Sequence, residues 1–139
     1  MVTFNPDSLQ IDAELADLET IRQYIERRAA LFQLDRSTTY DIQLAVTELV
    51  TNSLVHGYPQ SHGWIEVQME RQSEETFVWV RDRAPYFDPT QQPAPDLSKP
   101  LHKRFPGGMG IYLTRQIVLK MAHRSLPEGG NETTLVFAG

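Results

Sequence analysis

Apolar residues recur in this chain at two spacings, and the order in which those spacings follow one another leaves few architectures open. Leu18, Ile21, Ile25, Ala29 and Phe32 keep a helical interval, with Arg22, Glu26 and Arg27 turned away from them. Ile42, Ala45, Val46 and Leu49 repeat that interval. From Trp64 to Arg71 the period falls to two, with Ile65, Val67 and Met69 on one side and Glu66, Gln68 and Glu70 on the other. A polar stretch from Gln72 to Glu75 then leads into Phe77-Val78-Trp79-Val80-Arg81, the second arm of a hairpin. Ile111, Leu113, Ile117, Val118 and Met121 return to helical spacing, and strands are expected at 123–126 and 133–137 around a Pro127–Asn131 turn. A short alternation over Ser8–Asp12 predicts an edge strand. Helices and hairpins without strict βαβ alternation predict an α+β, two-layer sandwich, its helices on one face of a mixed, mostly antiparallel sheet.

The punctuation supports this division. The first helix is expected from about Leu15 to Gln33, and Asp35-Arg36-Ser37 makes the turn after it. Thr38 with Asp41 three residues on has the form of a capping box for the second helix, which Gly57, Pro59 and Gly63 bring to an end. The 139 residues, 40% hydrophobic, are expected to form one domain over 1–139, large enough to bury a core.

A net charge of −5 argues against a nucleic-acid partner, which would call for Lys and Arg gathered on one face. The absence of cysteine excludes disulfides, zinc-thiolate sites and thiol nucleophiles. Met1 to Pro6 lacks the apolar core of a signal peptide and no apolar run reaches bilayer length, so a soluble cytoplasmic protein without a membrane partner is expected.

Candidate chemistry begins on the second helix. Glu48, Asn52 and His56 are spaced four apart and form one polar stripe at the border of the apolar face. The bland reading is a core helix with incidental polar edges. The functional reading is a carboxylate and an amide held at the start of apolar walls. Mg²⁺ bound with a nucleotide takes few protein oxygens beside phosphate and water, so Asn52 could serve as its ligand. Glu48, one turn away, is placed to accept a proton from a hydroxyl or water attacking a γ-phosphate.

Asp82 stands where a strand ends, which suits either a turn or a carboxylate aimed into a pocket. Gly107-Gly108-Met109-Gly110 opens the third helix, where bare backbone and the helix N-terminus favour phosphate; tight turns use such glycines too. Upstream, the proline-rich stretch from Pro89 to Pro106 carries Lys99, His102, Lys103 and Arg104, the composition of a phosphate lid or of a solvated loop.

Taken in order, Glu48-x-x-x-Asn52 with His56, Asp82-x-Ala84-x-x-Phe87-Asp88-Pro89, Gly107-Gly108-Met109-Gly110 and Thr133-Thr134 resemble the N box and the two glycine boxes of GHKL ATPases, with their last strand. Within that superfamily the chain resembles a bacterial anti-sigma factor serine/threonine kinase, over nearly its whole length. The resemblance implies a Bergerat fold binding ATP and Mg²⁺. It makes Asn52 the metal ligand, Glu48 the base, Asp82 the acceptor for the adenine amino group and Thr133 its assistant. Ala84 and Phe87 belong with the first glycine box, and Lys103, Arg104, Gly107, Gly108, Met109 and Gly110 with the lid and phosphates.

The partners so implied are a sigma factor and a small antagonist protein phosphorylated on a hydroxyl, with a homodimer as the assembly. One departure matters: Ala84 stands where the box commonly has glycine, and a positive φ there would weaken nucleotide binding. The alternative function is a non-catalytic, nucleotide-responsive module that binds a sigma factor. A sensor histidine kinase's catalytic domain would need a phospho-accepting helical segment that a chain this short is not expected to contain.

Overall fold

Helical and alternating segments separate into two layers in a computed structural model of the chain, which describes residues 7–14, 17–57, 62–93, 98 and 108–139. In order, the elements are β1 (Ser8–Glu14), α1 (Leu18–Leu31), α2 (Arg36–Asn52) with a π-helical turn (Ser53–Gly57), β2 (His62–Gln72), β3 (Glu75–Asp82), a 3₁₀ turn (Pro89–Gln91), α3 (Gly108–Ile117), β4 (Lys120–Ser125) and β5 (Asn131–Ala138). The sheet runs β1-β2-β3-β5-β4. Among the described residues every pairing is antiparallel, in keeping with the mostly antiparallel sheet expected from the sequence. The return from β3 crosses through α3 to the far edge, so β5 can close against β3 in the opposite direction. β1 occupies an edge, as its short alternation suggested.

One face of the sheet is apolar and carries the helices. Residues directly opposite on antiparallel strands share a face. Val67 therefore lines up with Leu9 and Val80, and Met69 with Val78, which in turn faces Leu135. Ile21 and Ile25 of α1, Ile42, Val46 and Val50 of α2, and Ile111 of α3 pack onto this surface. Each such side chain contributes about 1.5–3 kcal/mol on burial. The same pairing puts Asp82 opposite the fully buried Ile65, and Thr133 opposite Val80. Two polar residues are thereby held on the helix-facing side of the sheet.

The other face carries a row of charge. Gln10, Glu66, Arg81, Glu132 and Arg124 lie opposite one another across the five strands. Arg81 bridges Glu66 at 2.5 Å and Glu132 at 2.7 Å, and Arg124 reaches Glu132 at 2.6 Å. Burial raises the Glu132 carboxyl, but hydrogen bonds and charge from Arg124 and Arg81 outweigh it and hold the pKa below the ordinary glutamate value.

Two boundaries differ from the sequence reading. The N-cap of α2 is Asp35, whose side chain accepts from Thr38 N–H at 2.7 Å, so Thr38 lies inside the helix and the Thr38–Asp41 capping box does not form. Aspartate is the stronger cap and is already extended at φ −74°, ψ 171°. Helix α3 stops at Ile117, and Met121 belongs to β4 opposite Leu135. A residue three or four places beyond a helix end keeps helical spacing by accident, and strand pairing decides. The end of α1 agrees with expectation. Gln33 takes a left-handed φ of 59°, and Leu34 N–H donates to Ala29 C=O at 2.9 Å, closing a Schellman motif. Among the described residues no helix is long and apolar enough to cross a membrane.

Candidate functional site

The end of α2, the end of β3 and the start of β5 meet at a cavity of about 240 Å³. Leu49, Val80 and Ile111 give it apolar walls; Asn52, Asp82 and Thr133 face it with polar groups. Ala84 and Phe87, from the loop after β3, close one side. Asn52 is the last residue of α2, and beyond it the backbone widens into a π-helical turn. Such turns insert one extra residue and re-aim the side chains that follow. Ser53, at the junction, keeps α-helical backbone at φ −61°, ψ −45°, and its hydroxyl donates to Asp82 Oδ2 at 2.7 Å.

Asp82 is 7% exposed and receives three donors. Besides Ser53, Ala84 N–H reaches Oδ1 at 3.1 Å and Asn131 Nδ2 reaches Oδ1 at 2.9 Å. The loop that follows is tied to the same asparagine, which donates to Pro85 C=O at 3.0 Å and accepts from Phe87 N–H at 3.0 Å. Asp88 caps the 3₁₀ turn by accepting from Thr90 N–H at 2.8 Å. Burial raises the Asp88 carboxyl, yet its hydrogen bonds from Thr90 and the nearby His123 ring bring the pKa below the ordinary aspartate value. Arg115 of α3 donates to Gln92 C=O at 2.8 Å and fixes where the chain leaves this region.

Glu48 does not line the cavity. It stands one turn before Asn52, against the first turn of α3, where a Cβ on Gly110 would overlap its carboxylate. Glycine at 110 is thus what lets the two helices meet at Glu48. Gly108 and Met109 form the rest of that first turn, and His56 lies in the π-helical turn. Lys103, Arg104 and Gly107, and with them the basic lid segment, lie outside the described residues.

Ala84 is buried at 4% exposure, and among the described residues only Gln33 and Ser73 combine a side chain with positive φ. The methyl group therefore sits on backbone that accepts it, and the feared strain at this departure from glycine is absent.

Three site residues escaped the sequence reading: Ser53, Asn131 and His123. Ser53 is adjacent to Asn52 but off the four-residue stripe, and only the packing of the α2 end against β3 brings it to Asp82. Asn131 follows Gly129 and Gly130, whose φ angles of 98° and 107° mark a turn that the sequence does show. Its pairing with Asp82 depends on strand register, which the turn alone does not reveal.

A family profile described as "Histidine kinase-like ATPase domain" matches residues 11–137. Serine/threonine-protein kinase BtrW of Bordetella bronchiseptica is 22% identical over 130 residues, which cover 93% of this chain and 91% of BtrW. The Acinetobacter baumannii histidine kinase AdeS superposes with a TM-score of 0.49 at 16% identity, over 97% of this chain and 68% of that one.

Proposed function

The chain belongs to the histidine kinase-like ATPase family, and we propose that within it this protein is a serine/threonine kinase of the anti-sigma factor type. It transfers the γ-phosphoryl group of ATP to a hydroxyl of a small antagonist protein, and it sequesters a sigma factor. The observation that carries the reading is the seat of Glu48 against Gly110, one turn from Asn52 on the cavity wall. The name of the Bordetella relative, matched nearly end to end, supports serine or threonine as the acceptor.

Each residue then has a task. Leu49, Val80 and Ile111 exclude water from the purine, and Asp82 accepts from its amino group. Thr133, beside it, assists at the base. Asn52 offers a neutral hard oxygen at the cavity wall, the donor type that Mg²⁺ takes alongside phosphate oxygens, so the residues present fit that ion. Mg²⁺, when bound, offsets the charge that builds on the phosphates. Gly108, Met109 and Gly110 present the N-terminal backbone of α3 to those phosphates, and the motif resemblance assigns Lys103, Arg104 and Gly107 to the same phosphates. Glu48 accepts the proton of the attacking hydroxyl as its oxygen bonds to phosphorus and ADP departs with the bridging oxygen.

Single-turnover transfer of label from γ-labelled ATP with Mg²⁺ to candidate antagonist proteins tests this reading. Phosphoserine or phosphothreonine on one of them is the expected result. ATP binding with no transfer to any of them would favour the sequestering module. Ala84, the one residue that had pointed to that module, no longer does so, because its backbone has no need of glycine.

A further inference from the structure

Asn131 stands outside the motifs that define the nucleotide site, yet it is buried at 5% exposure and its amide touches five groups. Nδ2 faces three acceptors: Asp82 Oδ1 at 2.9 Å, Pro85 C=O at 3.0 Å and Ala84 C=O at 3.3 Å. Oδ1 faces the Phe87 N–H at 3.0 Å and His123 Nε2 at 2.8 Å. Reversing the amide would set its oxygen against three acceptors and its NH₂ against a backbone N–H, so this orientation is the one the surroundings permit. It follows that His123 Nε2 carries a proton and donates it. The His123 ring is 3% exposed and held from its other side by the edge contact with Tyr86, with ring centroids 5.2 Å apart. The backbone permits this approach because position 130 is glycine: with φ at +107°, a Cβ there would strike Asp82 C=O and Arg83 Cα.

The consequence reaches Asp82. A carboxylate offers about four lone-pair directions. Ala84 N–H and Asn131 Nδ2 occupy those of Oδ1, and Ser53 occupies one on Oδ2. What remains is one acceptor direction on Oδ2. An exocyclic amino group satisfies it, whereas the carbonyl oxygen that guanine carries at the same position meets a carboxylate with no proton to share. We infer that Asn131, oriented by the His123 Nε2–H, is the positioning residue that makes this pocket select adenine over guanine nucleotides. The inference rests on the ATP-site reading above and deepens it. Asn131 touches no ligand in this scheme; it acts by fixing Asp82 and the 84–87 backbone, and His123 acts by fixing Asn131.

Calorimetry on the full chain, with ATP and then GTP at equal Mg²⁺, tests it. Asn131→Asp is nearly isosteric but turns the donor into an acceptor; it should lower ATP affinity by roughly tenfold or more and shrink the ATP/GTP ratio by a similar factor. Because that variant risks the fold, a histidine pair runs beside it. His123→Leu should lose about tenfold in ATP affinity and in the ATP/GTP ratio, and His123→Gln, which keeps an N–H donor, should restore most of both. A residue that only supports the fold would not show this rescue in base selectivity. Folded histidine variants with the wild-type ATP/GTP ratio, or equal losses in Gln and Leu, would overturn the inference. If the wild type prefers ATP and the variants do too, the ATP site stands and the positioning role falls. If the wild type binds neither nucleotide, both fall.

Discussion

The meeting of α2 and α3 at Glu48 yields a prediction in which stability and activity part company. In Gly110→Ala the new methyl group occupies the position of Glu48 Oε2, with Cδ also within contact. The obstacle is the tip of a flexible side chain rather than backbone, so the glutamate can swing aside. An off-rotamer glutamate costs about 0.5–1.5 kcal/mol, and replacing helical glycine by alanine returns up to about 1 kcal/mol. The two nearly cancel, and Tm should move by no more than about 4 °C. Catalysis has no such compensation. A general base contributes roughly 10²–10⁴-fold, and a carboxylate rotated away from the attacking hydroxyl loses most of that.

Gly110→Ala should therefore slow single-turnover phosphoryl transfer by about 10²-fold or more, approaching Glu48→Gln, with a smaller loss in ATP affinity. The double variant supplies the control, since two substitutions acting through one carboxylate are not additive. Added to Glu48→Gln, the alanine should slow transfer little further. A wild-type rate in folded Gly110→Ala, or full additivity in the double variant, would refute the claim that the glycine exists to seat Glu48.

Three further outcomes are expected. Asp82→Ala removes the acceptor on which Ser53, Ala84 and Asn131 converge, and ATP affinity measured by calorimetry should fall by roughly ten- to a hundredfold, since a hydrogen bond to a charged group is worth about 1.5–3 kcal/mol. Glu48→Gln should keep Mg²⁺-ATP affinity and lose transfer by about 10²–10⁴-fold, whereas Asn52→Ala should already lose the Mg²⁺-dependent part of binding; titrations with and without Mg²⁺ separate the two. Glu132, with its pKa lowered by Arg124 and Arg81 in spite of burial, contributes stability that is fully present above the ordinary glutamate value of about 4.3 and is lost as pH falls through the depressed folded value. Urea unfolding of Glu132→Gln across that acid range should show a flatter pH dependence than wild type, and an identical slope would count against the ion row as an acid-sensitive element.

Much of this molecule was legible in one dimension because its signals are local. Helical spacing at Leu18 to Phe32 and at Ile42 to Leu49, and alternation at Trp64 to Arg71, each report which side of an element meets the core, and the layers followed from them. The four-residue interval from Glu48 to Asn52 likewise survives in any helix, and a strand-end aspartate at 82 is visible as such. Where two local patterns overlapped, the sequence misled: Met121 kept step with α3 but pairs with Leu135, and Asp35 took the cap that Thr38 seemed to offer. What only the tertiary structure decided is how distant local features are brought into register. The β3–β5 pairing sets Asn131 beside Asp82, 49 positions apart in sequence, and the packing of the α2 end against β3 brings Ser53 to the same carboxylate. The Gly110 backbone meets Glu48 because α3 packs on α2, and the Ala84 backbone keeps a conformation open to any side chain. Residue type and spacing specify the faces of each element, but a contact between elements is a property of their packing, and the site's polar network consists largely of such contacts.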